Sequence, residues 1–382
     1  MLDIKYIREN EQLVRQAVAN RQSDAPIDDI LKYDKDRRAI TQSLDELRYR
    51  RKEMARQRSD ETITEGRELR EQIKTLENKL RAVEEELNNL LLQVPNIPDS
   101  SVPIGKGEED DKILRNWGDL PQFDFKPAPH WKLGEDLGII DFERGVKLSG
   151  TRFYVLSDMG ARLQRSLINF MLDIHTSANG YREIYPPFMV KRQTMVNSGN
   201  LPKFADNLYH DDSDDFWFVP TAEVPLTSLF SGEILAPGSL PIYYAAHTAC
   251  FRREKMSAGK DTRGIKRGHQ FDKVELYKLA TPQTSEDELE KLLSDAEGIC
   301  RKLKLPYRIR FLCTAEIGFQ SKKSYDIEIW ASGLNEWLEV SSCSNCGDFQ
   351  ARRAGIRFRA EPQAKAEFIH TLNGSGLALP RL

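Results

Sequence analysis

The sequence has few cysteines, few histidines and no long apolar run. Its 382 residues include five cysteines, an odd number too small for a disulfide framework, which is typical of a reducing cytoplasm. No apolar run approaches the roughly 18 residues that span a bilayer. Met1 to Lys5 also lacks the basic and apolar regions of a secretory signal. We therefore predict a cytoplasmic protein with no membrane partner.

A marked excess of positive or negative charge is also absent. Lysine and arginine number 56 and aspartate and glutamate 59, so the formal net charge is −3. A value this near zero neither indicates nor excludes a nucleic-acid partner, because local patches decide that. Charged residues make up 30% of the chain, a little above the usual share, which favours a globular protein with one unusually polar element. The length favours two domains or one large one.

The polar element lies near the front of the chain, where apolar residues recur every three or four positions. The first series is Ile30, Tyr33, Arg37, Ile40, Leu44, Leu47, Arg51 and Met54, and the second is Leu69, Ile73, Leu76, Leu80, Val83, Leu87 and Leu90. Such spacing is the seam of a coiled coil. Residues 59–66 contain capping residues and a glycine, so we predict a turn there and an antiparallel hairpin. The second helix is predicted from about Glu68 to Leu92, before Pro95.

Basic residues are concentrated at the predicted tip of this hairpin. Six of the eleven residues from 48 to 58 are basic, namely Arg48, Arg50, Arg51, Lys52, Arg56 and Arg58. A charge run of this kind is usually a solvated helix face. The functional alternative is an arm that binds phosphates.

Beyond a proline- and acid-rich linker, the pattern changes. Residues 160–177 and 285–303 are amphipathic, and short strand-like runs lie at 216–219, 241–244, 271–277, 307–311 and 325–330. Strands with inserted helices but no regular βαβ alternation predict an α+β domain on an antiparallel sheet.

One segment combines a strand with a cationic loop. Arg252 and Glu254 stand two apart, so on a strand they would share a face, and the loop that follows carries five basic residues and one acid. A structural ion pair is the simple interpretation. The loop instead favours a polyphosphate and a nucleic-acid end, because arginine makes bidentate contacts to phosphate.

Two other features favour structural roles. Cys343 and Cys346 have zinc-ligand spacing, but no second pair completes four ligands. His269 has neither a serine nor a cysteine nucleophile near it in the sequence, so we do not assign it acid–base chemistry.

A set of segments in fixed order resembles the seryl-tRNA synthetase family of class II aminoacyl-tRNA synthetases. The segments are Gly180-Tyr181-Arg182-Glu183-Ile184-Tyr185-Pro186-Pro187, Thr221-Ala222-Glu223, Phe251-Arg252-x-Glu254, Asp261-Thr262-Arg263-Gly264, His269-Gln270-Phe271-x-Lys273-Val274-Glu275, Glu339-Val340-Ser341-Ser342-Cys343-Ser344-Asn345-Cys346, Asp348-Phe349-Gln350-Ala351-Arg352-Arg353 and Asn373-Gly374-Ser375-Gly376. Each is weak evidence alone. Their order behind a coiled-coil hairpin is specific, and the resemblance covers the whole chain.

The resemblance implies a function and an organisation. The family joins L-serine to ATP, with Mg²⁺, to give seryl-adenylate and pyrophosphate. It then transfers the seryl group to the terminal ribose of tRNA(Ser), and also to selenocysteine tRNA. The implied domains are a tRNA-binding domain with the hairpin at 1–104 and a class II catalytic domain, an antiparallel sheet flanked by helices, at 105–382. The first motif, at 180–187, implies a homodimer.

The resemblance also implies site residues. Arg252, Glu254 and Arg381 are the implied catalytic residues. The ATP site comprises Arg252, Arg253, Glu254, Phe271, Glu339, Val340, Ser341, Ser342 and Arg381, of which Glu339 and Ser342 bind Mg²⁺. The serine site comprises Thr221, Ala222, Glu223, Glu275 and Ser375, and the tRNA contacts are Arg48, Arg51, Arg56, Arg263 and Arg267. Which group takes the serine ammonium and which the hydroxyl stays open. Thr221 alone also fits a helix cap.

The chain departs from the family pattern in three places. Ala315-Glu316 stands where the family usually has Gly-Asp, and Arg253 stands where a small polar residue is common. Family members also continue past the third-motif arginine with a helix, whereas this chain ends at Leu382. The alternative function is therefore a catalytically impaired or non-catalytic, synthetase-like RNA-binding protein.

Overall fold

The computed structural model describes residues 1–54, 60–255 and 263–382, without the side chains of 60–64. The chain divides into two compact units, one of Leu2–Ala19 with Ser23–Pro95 and one of Met1, Asn20–Gln22 and Asn96–Leu382. No helix among the described residues is both long enough and apolar enough to cross a membrane. The α-helices of the described residues are α1 (Ile4–Glu9), α2 (Glu11–Asn20), α3 (Ile27–Met54), α4 (Asp60–Leu91), α5 (His130–Asp136), α6 (Phe142–Ser149), α7 (Asp158–Ser177), α8 (Arg192–Ser198), α9 (Glu223–Ser228), α10 (Ser285–Lys302) and α11 (Phe349–Ala354).

Helices α3 and α4 form the predicted hairpin of the first unit. Its core consists of Ile40, Leu44 and Ile73, with four members of the two apolar series packed on them, Leu47, Leu76, Leu80 and Val83. Helix α4 begins at Asp60, about eight residues before the predicted start, so the predicted turn at 59–66 is wrong over most of its length. Gly66 lies inside the helix because one glycine in a long helix costs only about 1 kcal/mol.

The base of the hairpin contains a buried acid. Asp34 is fully buried, and it pairs with Arg8 at 2.8 Å, Arg37 at 2.9 Å and Arg38 at 3.1 Å. Burial alone would raise the pKa of Asp34, but the hydrogen bonds from Arg37 and Arg8 lower it below its ordinary value. The arginine at the third position of the apolar series, Arg37, therefore serves this ion cluster and not the seam.

The second unit is built on an eight-stranded sheet. Its strands are ordered β1-β11-β12-β13-β16-β10-β9-β4, and all neighbours are antiparallel except β4 and β9. The strands of the described residues are β1 (Lys112–Trp117), β2 (Ile140–Asp141), β3 (Val155–Leu156), β4 (Arg182–Glu183), β5 (Met189–Lys191), β6 (His210–Asp211), β7 (Phe216–Phe218), β8 (Ile234–Leu235), β9 (Ile242–Phe251), β10 (Gln270–Ala280), β11 (Tyr307–Phe311), β12 (Lys323–Ala331), β13 (Glu336–Gly347), β14 (Arg357–Phe358), β15 (Glu367–Phe368) and β16 (His370–Ala378). The α+β prediction is confirmed.

Helices α7 and α10 cover one part of the sheet core. The cluster includes Leu289, Leu292 and Ala296 of α10 together with Leu276 of β10 and Ile327 of β12, all fully buried. Strand β1 was not predicted, because every residue of Lys112–Trp117 is exposed and no apolar alternation marks it. It lies at the sheet edge, paired with β11.

Candidate active site

A cavity of about 660 Å³ opens at the centre of the large sheet. Its walls come from β10, β12, β13 and β16 and from the segments before α9 and after β9. The residues predicted for catalysis, ATP or serine that line it are Thr221, Glu223, Arg252, Glu254, Phe271, Glu275, Glu339, Val340, Ser342, Ser375 and Arg381. Residues that are up to 160 positions apart in sequence therefore meet in one place.

The predicted residues Ala222, Arg253 and Ser341 do not line this cavity. Ala222 is fully buried beside α9. The Arg253 guanidinium donates to the Leu208 carbonyl at 2.8 Å and lies over the Tyr209 ring. The Ser341 hydroxyl donates to the Ser375 carbonyl at 2.7 Å, so it braces β13 against β16.

One side of the cavity is cationic. Strand β9 ends at Phe251, so Arg252 and Glu254 lie beyond it, not on a strand face as predicted, and Glu254 has a positive φ of 50°. The Arg252 guanidinium lies 5.1 Å from the centre of the Phe271 ring, and its Nε donates to the Pro220 carbonyl at 3.2 Å. Within the described residues, no hydrogen bond or ion pair of the terminal nitrogens of Arg252 is found, so they are available for a ligand anion.

Arg381 lies in a short 3₁₀ helix at Leu379–Arg381. Its Nη1 is 3.2 Å from the Glu339 carboxylate and donates to the Glu339 carbonyl at 2.8 Å. The Glu339 side chain is 45% exposed, so desolvation by the cavity wall raises its pKa less than full burial would, and Arg381 and Arg252 lower the pKa below its ordinary value. Glu339 therefore carries its charge in the cavity wall.

Asp326 of β12 lies opposite Ser342 of β13 in the strand register. Glu339, which also lies on β13, lines the same wall of the cavity. The Oδ1 atom of Asp326 is buried and has no hydrogen-bond partner among the described residues. No motif or spacing in the sequence selects Asp326, although it lies in a predicted strand.

The other side of the cavity holds two buried carboxylates, Glu223 and Glu275, that differ in their partners. Glu275 lies 2.5 Å from the Lys273 ammonium and accepts a hydrogen bond from the Thr221 hydroxyl at 2.7 Å. Ser375 stands directly opposite Glu275 on the neighbouring strand. Thr221 also accepts from the Glu223 amide at 3.2 Å, so its predicted capping contact exists beside its contact with Glu275.

Glu223 has no salt bridge among the described residues, and three amides hold one of its oxygens. Oε1 accepts from Gln350 at 2.6 Å, Asn373 at 3.1 Å and Gln320 at 3.3 Å. Burial, and then the neighbouring Glu275 carboxylate, raise the pKa of Glu223 to about 7. No hydrogen bond to the other oxygen of Glu223, Oε2, is found among the described residues. Gln350 and Asn373 belong to segments that carry the family resemblance, which was the available signal for them.

The predicted tRNA contacts within the described residues are divided between the two units, with Arg48 and Arg51 in one and Arg263 and Arg267 in the other. Arg267 lines the cavity, whereas Arg263 is exposed and lies over the Trp131 ring. Arg48 and Arg51 are exposed on α3, where Arg48 pairs with Glu77 of α4 at 2.9 Å. Arg56 lies outside the described residues.

The structural interpretation of Cys343, Cys346 and His269 stays a prediction. Cys343 and Cys346 are buried and unpaired, and no group of three metal-ligating His, Cys, Asp or Glu side chains occurs in the described ranges. Cys346 receives a hydrogen bond from Asn373 at 3.5 Å. The His269 ring bonds the Arg252 carbonyl through Nδ1 at 2.9 Å, so it positions the segment after β9.

Comparisons with known proteins agree with this geometry. Residues 1–98 match the seryl-tRNA synthetase N-terminal domain, and residues 204–382 match the tRNA synthetase class II core domain (G, H, P, S and T). The serine–tRNA ligase of Dehalococcoides mccartyi is 63% identical over 382 residues, which are 100% of this chain and 92% of the relative. That of Thermomicrobium roseum is 52% identical over 389 residues, covering 100% of this chain and 87% of the relative.

Solved structures give the same result. The seryl-tRNA synthetase of Pyrococcus horikoshii complexed with ATP superposes with a TM-score of 0.94 at 36% identity, covering 100% of this chain and 92% of that one. A cytoplasmic serine–tRNA ligase from Naegleria fowleri in complex with AMP gives a TM-score of 0.89 at 28% identity, with 100% and 91% covered. The chain belongs to the seryl-tRNA synthetase family of class II synthetases, as its motifs predicted.

Proposed function

We propose that this chain ligates L-serine to tRNA(Ser), through seryl-adenylate. A serine carboxylate oxygen attacks the α-phosphorus of ATP, the bond to the β-phosphate oxygen breaks, and pyrophosphate leaves. A ribose hydroxyl of the tRNA then attacks the seryl carbonyl, and AMP leaves. The observation that carries the proposal is that one cavity holds both a cationic wall, with Arg252 and Arg381, and the carboxylate pair of Glu223 and Glu275.

The first step needs positioning and neutralisation of phosphate charge more than covalent help. Arg252 is proposed to hold the α-phosphate, since its terminal nitrogens remain available beside Phe271. Arg381 is proposed to pack on the nucleotide. Glu254 and Phe271 are proposed to contact the adenine. Val340 and Arg267 also line the cavity, and we assign Val340 to the ATP site and Arg267 to the tRNA site.

The wall also fits Mg²⁺, which prefers oxygen ligands and binds through few carboxylates together with substrate phosphates. Glu339 and Ser342 offer such oxygens, and the unpartnered Oδ1 of Asp326 lies on the strand beside them. We propose that Glu339 and Ser342 hold the ion. Bound Mg²⁺ neutralises phosphate charge, whereas Arg252 and Arg381 of the chain orient the nucleotide.

The partners of the two carboxylates assign the ends of the serine molecule. Glu275 is already neutralised by Lys273, and it accepts from Thr221. In the part of the chain that the structure describes, the donors to Glu223 Oε1 are neutral amides, so its charge is left for the substrate. We therefore propose that Glu223 takes the ammonium and that Glu275, with Ser375 opposite, takes the hydroxyl.

A serine-dependent ATP–pyrophosphate exchange assay tests the function. We expect purified protein to incorporate labelled pyrophosphate into ATP only when serine is present, because adenylate formation is reversible. Threonine and alanine serve as controls. Folded protein that binds ATP but shows no exchange would refute the active-enzyme proposal and favour the non-catalytic alternative. That alternative is not favoured by the chain's family membership or by the complete cavity.

A second copy of the chain is proposed to complete a homodimer at α7. The exposed fractions of Met159 and Leu163 on this helix are 61% and 56%, and the first motif follows directly with the edge strand β4. Apolar side chains exposed together on one helix favour burial against a partner surface.

Residues 1–104 are proposed to bind the tRNA through the hairpin, and residues 105–382 to catalyse. We expect changing Arg48, Arg51 and Arg56 together to glutamine to weaken tRNA binding. The slope of log affinity against log salt should fall by up to about three, one for each lost phosphate contact. Filter binding across a salt series measures both quantities.

The matched control is the triple glutamine variant of Lys74, Lys79 and Arg81, three exposed basic residues further along α4. It removes the same charge from the same hairpin. Serine-dependent exchange should be unchanged in both variants, because it needs no tRNA. If the two triple variants show the same salt slope, the basic tip is not the contact surface.

A further inference from the structure

Gln350, the second residue of α11, is fully buried behind the carboxylate pair and does not line the cavity. All of its polar atoms have partners. Its Oε1 accepts from the Thr371 hydroxyl at 2.6 Å and from Tyr277 at 3.2 Å. Its Nε2 donates to the Ser198 carbonyl at 2.9 Å and to the Glu223 Oε1 at 2.6 Å.

The orientation of this amide is fixed by its surroundings. The Ser198 carbonyl can only accept, so the nitrogen must face it whatever the protonation state of Glu223. The second N–H then points at Oε1 of Glu223, and an oxygen that already accepts a short N–H bond is a poor place for a proton. Gln350 therefore favours the charged form of Glu223 and reserves Oε2 for a ligand.

The same ring of bonds also fixes the Glu223 backbone. The Thr227 hydroxyl donates to the Glu223 carbonyl at 2.7 Å and lies 2.9 Å from the Tyr277 hydroxyl, which is also 3.2 Å from the Gln350 Oε1. Because each hydroxyl has one proton, Tyr277 donates either to Thr227 or to Gln350. Strand β10, helix α9 and helix α11 are thus joined around one carboxylate.

We propose that Gln350 is a positioning residue for amino-acid recognition, which holds Glu223 ionised and aimed at the substrate ammonium. The inference rests on the proposed function, since it assumes that Glu223 binds serine. Gln350 acts through Glu223 and touches no substrate. Asn373 and Gln320 supply weaker bonds to the same oxygen, so removing Gln350 impairs the site without emptying it.

Several titratable groups face Glu223. Glu275 and Lys273 lie on β10, Tyr277 follows them on that strand, and Cys346 lies on β13. Burial and Glu275 raise the pKa of Glu223, whereas Lys273, Gln350 and Gln320 lower it. Removing the Gln350 donor shifts this balance towards the protonated carboxyl, which binds an ammonium poorly. The defect is therefore greatest at low pH and recovers as pH rises.

The test is Gln350→Met, which keeps the length of the side chain and removes the donor. We expect the KM for serine in pyrophosphate exchange at pH 7 to rise about 10- to 100-fold, the effect of losing a hydrogen bond to a charged group. The KM for ATP should stay within about two-fold. The ratio of variant to wild-type serine KM should fall between pH 6.5 and pH 8.5.

The matched control is Gln164→Met, which removes a glutamine of α7 that donates to the Asp272 carboxylate at 2.9 Å, where neither residue lines the cavity. Its serine KM should be unchanged at every pH. A Gln350→Met variant that loses thermal stability but keeps the wild-type serine KM overturns the inference, as does a serine KM ratio that is independent of pH. Failure of wild-type exchange would instead refute the proposed function.

Discussion

Arg252→Gln should lower serine-dependent pyrophosphate exchange about 1,000-fold in kcat/KM, close to 4 kcal/mol of lost transition-state stabilisation. Charge builds up on the α-phosphate oxygens as the serine carboxylate attacks. Arg252 is held beside Phe271 by its Nε bond to the Pro220 carbonyl, so it is pre-oriented for that charge. Steady-state exchange over ATP and serine concentrations measures the effect.

Arg253 provides the comparison for this result. It is adjacent in sequence and carries the same charge, but its guanidinium bonds Leu208 and lies over Tyr209, outside the cavity lining. Arg253→Gln should therefore reduce exchange far less. Arg252→Lys should recover little activity, because an ammonium cannot make the bidentate contact. Equal losses at Arg252 and Arg253 would mean that general positive charge, and not the position of Arg252, matters.

Glu275→Gln should strongly reduce selectivity for serine, whereas Glu223→Gln should weaken recognition of every amino acid. A site built to bond a hydroxyl rejects the analogue without it by about 10,000-fold or more. Glu275 is proposed to bond that hydroxyl, so its loss should lower serine kcat/KM about 1,000-fold and leave alanine nearly unchanged. Glu223 is proposed to bond the ammonium, which serine and alanine share.

Exchange with serine and with alanine, measured for both variants, separates the two roles. Glu275→Gln also leaves the buried Lys273 without its acidic partner, so thermal unfolding must be measured alongside. A folded Glu275→Gln protein that still prefers serine over alanine by the wild-type ratio would contradict the assignment. A selective loss of serine in Glu223→Gln would show that the two roles are reversed.

The secondary structure was largely predictable where apolar spacing is strong. The helices at 158–177 and 285–302 and the strands at 307–311 and 323–331 agree with the predicted segments to within a few residues. The errors fell where local pattern is weak. Strand β1 has no buried face, and α4 continues through Gly66 because packing along the hairpin outweighs one poor helix former.

The candidate site was predictable as a set of residues but not as an arrangement. Family motifs selected eleven residues that line one cavity. The same segments also include Arg253 and Ser341, whose side chains lie outside the cavity lining. A motif does not specify which of two neighbouring side chains faces the cavity. Gln350 lies in the family segment at 348–353, yet nothing in the sequence connects it with Glu223, which is 127 positions away.

The sequence by itself determined the family, the hairpin and the kinds of group in the site, because heptad spacing and ordered motifs are properties of the chain. Only the tertiary structure decided which carboxylate is free for a ligand. Lys273 and Glu275 are two residues apart on one strand and neutralise each other, whereas the hydrogen bonds to the Glu223 carboxylate within the described residues come from amides of three distant segments. Charge assignment depends on neighbours in space, and those are set by how the strands and helices pack.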